Sequence, residues 1–126
     1  MVGKLSIKAQ HAIAFFDEVR VKMDRLYALV EQYTGARANE DQFMGPIGRT
    51  ATDVNHMLMN AGYGVMADTA NQIVMLAKRG GSKSTKSRGL REMVNSIRAA
   101  METSINVIIA EEAHAEEAHK EDEEAD

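Results

Sequence analysis

The sequence predicts an all-α fold, an antiparallel bundle of long amphipathic helices. Apolar residues recur at alternating spacings of four and three in three long segments. The connections between those segments are short, which favours antiparallel neighbours. Composition agrees: 44% of the 126 residues are apolar, only 5% are aromatic, and there are nine methionines and one proline. That suits one domain with an aliphatic, pliable core, because methionine fills irregular gaps.

The first segment steps through Leu5, Ala9, Ala12, Phe16, Val19, Met23, Leu26, Val30 and Tyr33. This a/d seam predicts a helix over about 5–35, capped by Ser6 and stopped at Gly35. Residues 36–46 connect it to the second segment, with Pro46 placed for a first helical turn. There the seam runs Ile47, Ala51, Val54, Leu58, Ala61, Val65, then slips by one to Met66, Ala70, Ile73, Ala77. The slip falls on Gly62-Tyr63-Gly64, and each glycine costs a helix about 1 kcal/mol relative to alanine. One kinked helix over 47–79 gives three rods; a turn at Gly62–Gly64 gives a four-helix bundle.

Residues 80–87 are small and polar and read as a flexible loop. Leu90, Val94, Ile97, Met101, Ile105 and Ile108 then define a last helix from about 88. Beyond Ala110 no large apolar residue remains. The expected organisation is a bundle over 1–110 and an acidic, partly disordered tail over 111–126. A narrow a/d seam also suits pairing with a second copy, so a homo-oligomer is expected.

The net charge of −4 hides a segregation. Residues 1–109 carry fourteen Lys/Arg against ten Asp/Glu, and residues 110–126 one Lys against nine Asp/Glu. Such blocks point to interaction surfaces. The absence of cysteine removes disulfides, thiolate catalysis and cysteine metal sites, and fits a cytoplasmic protein. The stretch MVGKLSIKAQ has no signal-like apolar core, and no run approaches a membrane span. No cofactor motif is present, so no cofactor is expected.

Four constellations carry possible chemistry. First, Lys78, Arg79, Lys83, Lys86, Arg88 and Arg91 fall within fourteen residues that contain no acid. Cations among small residues suit phosphates or other polyanions, although no aromatic residue is interleaved to stack on bases. Second, cations open the last helix and acids close it, both against its dipole. On a straight helix the two clusters are too far apart to pair with each other, which points to neighbouring subunits or protein partners. Third, Glu111-x-x-His114 and Glu116-x-x-His119 have the spacing of di-iron bundle ligands. Five residues apart on one helix, they diverge by about 140°, so no metal site is expected.

Fourth, Arg49, Asp53, His56, Asn60 and Tyr63 form a polar stripe two residues out of phase with the second seam. His56 should therefore face solvent, where an imidazole can accept a phosphoryl group or shuttle a proton. The stretch from His56 through Leu58, Ala61 and Gly62 resembles the motif of histidine-containing phosphotransfer domains. That resemblance implies a four-helix bundle with His56 as phosphoacceptor. Met59 stands where the family has lysine and Asn60 where it has glycine. Arg49 and His56 are also similar to the Arg-x4–6-His pair of HEPN-type ribonucleases, which implies a dimeric, all-α RNase using both residues. The leading expectation is a non-enzymatic bundle acting by self-association and electrostatic contacts, followed by phosphotransfer and then the RNase.

Overall fold

A computed structural model describes the backbone of residues 5–125 and the side chains of residues 5–115. Helix α1 runs Ile7–Gly35, and the Ser6 hydroxyl caps it by accepting from the Ala9 N–H at 3.1 Å. A 3-10 turn over Glu40–Phe43, entered through Asn39 at φ 56°, leads into α2 (Met44–Asn60). Pro46 falls in the first turn of α2, where a missing N–H costs no helical hydrogen bond.

The chain turns after Asn60, and α3 spans Gly64–Lys78. The turn is a Schellman closure: the Tyr63 N–H donates to the Leu58 carbonyl at 2.9 Å and the Gly62 N–H to Met59 at 3.1 Å. Gly62 sits at φ +89°, a conformation that side chains oppose. Among the described residues the bundle therefore has four α-helices, and the slip in the second seam marks a reversal. Val65 is left 84% exposed while Met66 turns into the core.

Helix α4 runs Lys83–Ala125, five residues earlier than the apolar periodicity predicts. Ser82 starts it, its hydroxyl accepting from the Thr85 N–H at 3.2 Å and its carbonyl from the Lys86 N–H at 3.0 Å. Lys86 and Ser87 occupy the buried positions that Leu90, Val94, Ile97 and Met101 hold further along. Apolar periodicity that first shows at Leu90 predicts a start at about 88, which leaves these two in the loop over 80–87.

Each helix packs on its chain neighbours, and α4 closes the ring against α1. Cross-helix bonds fix the directions. Arg91 meets Glu31, Arg98 meets Asp24 and Ser6 meets Glu112, so α4 runs antiparallel to α1. The Asn55 amide donates to the Ala67 carbonyl at 2.7 Å across the α2–α3 hairpin. The core is the seams: Phe16, Val19, Met23, Leu26 and Val30 from α1; Ile47, Ala51, Val54 and Leu58 from α2; Met66, Ala67, Ala70, Ile73 and Ala77 from α3; Leu90, Val94, Ile97 and Met101 from α4.

The hairpin is shorter than the pair that embraces it. Tyr63, at its turn, stacks on Phe15 with ring centroids 5.8 Å apart and tilts against Phe16 at 4.9 Å. Residues of α1 before Phe15, and the facing part of α4, thus run past the hairpin as a two-helix extension. α1 begins at the level of Glu112, whose carboxylate accepts from the Ser6 backbone N–H and hydroxyl. Among the described residues, no helix is long and apolar enough to cross a membrane.

Candidate functional site

The six cations of segment 78–91 do not form one surface. Lys86 is 8% exposed, and its ammonium lies 3.4 Å from the carbonyl of Ala77, in the last turn of α3. Lys83 donates to the carbonyl of Ala36, the C-cap of α1, with its ammonium 6.0 Å from the centre of the Tyr33 ring. Both lysines neutralise the negative end of a neighbouring helix. Arg91 makes a two-pronged pair with Glu31, both bonds at 2.8 Å. The hydrogen bonds from Arg91 lower the Glu31 pKa, and Glu31 raises that of Arg91 in return. Lys78, Arg79 and Arg88 are exposed and make no ion pair among the described residues.

These pairings revise the expectation that the charged ends of α4 point to neighbouring subunits or protein partners. Antiparallel packing sets the cations of α4 beside the C-terminal half of α1, and sets Glu112 at the α1 N-terminus. Ser87, beside Lys86 at the start of α4, is 6% exposed, and its hydroxyl has no hydrogen-bond partner among the described residues.

The stripe on α2 is also divided. Arg49, Asp53, His56 and Asn60 are exposed, as the spacing predicts. Tyr63 leaves the stripe because it lies beyond the end of α2 and packs on the two phenylalanines. Asp53 lies 3.6 Å from the Lys22 ammonium. Arg49 folds back along α2 towards Gly45, where its guanidinium would lie 3.2 Å from an added Cβ. His56 lies two turns further on in the opposite direction, about 10 Å along the helix axis. The ribonuclease pair is therefore on one helix face, but its two functional groups are not brought together.

A groove of about 590 Å³ runs along the junction of α2 and α3. Gly45, Gly48 and Thr52 open it on α2, Val74 and Ala77 give it an apolar wall on α3, and Arg49 and Lys78 flank it. A Cβ at Gly48 would meet nothing within 4 Å. Sequence reasoning missed this groove because it has no apolar periodicity. The available signal was Gly45-x-x-Gly48, two absent side chains on adjacent turns of one helix face.

Among the described residues no cluster of three or more His, Asp or Glu is placed to hold a metal ion. Glu116 and His119 of the second Glu-x-x-His pair lie outside the described side chains. No family model, curated protein sequence or solved structure matches the chain.

Proposed function

We propose that this chain is a non-enzymatic association module that pairs with a second copy of itself and uses its segregated charge for electrostatic contacts. The observation that carries this reading is where the surplus apolar surface lies. Among the described residues eight large apolar side chains are exposed, and five of them, Ile7, Met59, Val65, Val107 and Ile109, belong to the hairpin turn or to the part of α1 and α4 that runs past it. Single exposed apolar residues are ordinary on any surface, whereas a concentration at one end marks an interaction site. The two-helix extension there has an α1–α4 interface but no α2–α3 cover. A second extension supplies the missing pair of helices. Sedimentation or light scattering across the micromolar range tests the proposal: a mass of at least two chains is expected, and a monomer throughout overturns it.

A phosphotransfer role for His56 is the second reading, supported by one feature. The turn at Gly62 gives the chain four antiparallel helices with His56 exposed on α2. Incubation with a small phosphodonor should then give an acid-labile label that His56→Ala abolishes. No label on the wild type overturns this reading.

A further inference from the structure

We propose that the acidic C-terminal part of α4, residues 111–125, docks in the α2–α3 groove of a second copy, with Arg49 and Lys78 receiving its carboxylates. This rests on the self-association reading and specifies its contact. Position, charge and size support it.

Position excludes the same molecule as the donor. Lys78 ends α3 and Arg49 lies in the first half of α2, so the groove sits at the end of the bundle where α4 begins. The acidic segment leaves from the opposite end and points away. α4 is one continuous helix through Ala125, with no break that returns it to its own hairpin. A second copy lying antiparallel brings the segment alongside the hairpin. By two-fold symmetry it then receives the first copy's segment in return.

Charge matches in sign and place. Residues 111–125 contain eight Asp/Glu and one Lys. Arg49 and Lys78 make no ion pair among the described residues, while Asp53, the acid in the groove wall, is engaged by Lys22. Opposite potentials on two surfaces favour and orient their encounter.

Size matches as well. Residues 111–125 extend for about 22 Å as a helix, enough to span the groove, whose lining covers residues 44–53 of α2, about 15 Å. The segment is also narrow: Ala113, Ala115, Ala118 and Ala125 interrupt its acids, and none of its residues has a large apolar side chain. A slim helix against Gly45 and Gly48 allows close backbone approach.

The test uses full-length chains and measures self-association by sedimentation at low and high salt, with helicity followed by circular dichroism. Arg49→Glu combined with Lys78→Glu reverses the groove charge at two exposed positions. Gly48→Leu fills the groove without changing charge and replaces glycine with a better helix former. Glu117→Lys combined with Glu121→Lys reverses charge on the segment. Each variant should keep its helicity and weaken association at least about tenfold, a loss of about 1.4 kcal/mol. Mixing the groove-reversed and segment-reversed chains should restore a mixed complex. A groove-reversed chain that associates as tightly as wild type overturns the docking and leaves self-association standing. Weakening by charge reversal but not by Gly48→Leu places the contact outside the groove and also overturns it. A monomeric wild type removes both readings.

Discussion

Lys86 separates a ligand-binding cation from a structural one, and the two roles predict opposite results. Its side chain fills a seam position at the end of the core, with only 8% of the residue exposed. Truncation to alanine removes three buried methylenes worth about 0.8 kcal/mol each. It also removes a long hydrogen bond to Ala77, which contributes at most about 1 kcal/mol. Against this, alanine regains about 1.5–2 kcal/mol of side-chain entropy. The net expectation for Lys86→Ala is a loss of about 1–2 kcal/mol. Lys86→Met keeps the apolar stem and removes the cost of holding an ammonium near the core, so it should stay within about 0.5 kcal/mol of wild type. Urea denaturation measures both, with affinity for a polyanion such as heparin as the second readout. Arg88→Ala is the converse control: Arg88 is exposed and makes no ion pair among the described residues, so its removal should leave stability unchanged and lower any polyanion affinity. Equal stability of wild type, Lys86→Ala and Lys86→Met would refute the reasoning, because it would place Lys86 in solvent and the start of α4 later in the chain.

Gly62→Ala should cost about 1–2 kcal/mol by forcing a side chain into the left-handed region, whereas Gly48→Ala, inside a helix with open space around it, should gain up to about 1 kcal/mol; thermal melts of the two give opposite signs. His56→Ala should change unfolding free energy by less than about 0.5 kcal/mol, and a larger loss would mean the imidazole is buried. Glu31 titrates below its ordinary value because Arg91 hydrogen-bonds its carboxylate. Its contribution is present above the unfolded carboxylate value and is lost as pH falls through the folded one. Glu31→Gln should accordingly flatten the acid side of the stability profile, slightly and in a salt-dependent way. Tyr33 titrates above its ordinary value through burial, reinforced by Asp41 and Glu40. The unfolded chain ionises first, so stability should fall as pH rises past about 10, less so in Tyr33→Phe.

The seams were legible because nothing competes with them. From Phe16 to Val30 and from Leu90 to Met101, every position of the four-three pattern is buried. The break at 62–64 was legible as a place but not as a shape. A slip of one residue turns a helix by about 100°, which suits a kink or a reversal equally. The left-handed Gly62 and its Schellman bonds decide it. Tyr63 was assigned to the polar stripe because helical phase was carried through a turn where phase has no meaning. Lys83 and Lys86 read as loop cations because residue type indicates what a side chain prefers, whereas their position at the ends of α1 and α3 sets what they do. The groove at Gly45 and Gly48 arises from side chains that are missing, and apolar periodicity does not register an absence.

The charge pattern of α4 has a physical origin that one helix cannot reveal. Cations at its start and acids at its end each oppose its own dipole, at about 0.3–1 kcal/mol per charge in the terminal turns. The antiparallel neighbour inverts that sign. Lys83 meets the C-cap carbonyl of α1, Lys86 meets a carbonyl in the last turn of α3, and Glu112 accepts from the N–H and hydroxyl of Ser6, the N-cap of α1. Charges unfavourable within α4 thus fix its register and direction against its partners, because a parallel α4 would bring cations to N-termini and acids to C-termini. The same logic stops at Glu112. At that level lies the described start of α1, and the acids of α4 that follow continue past it. In the docking proposed above, the cationic groove of a second copy is what receives these acids.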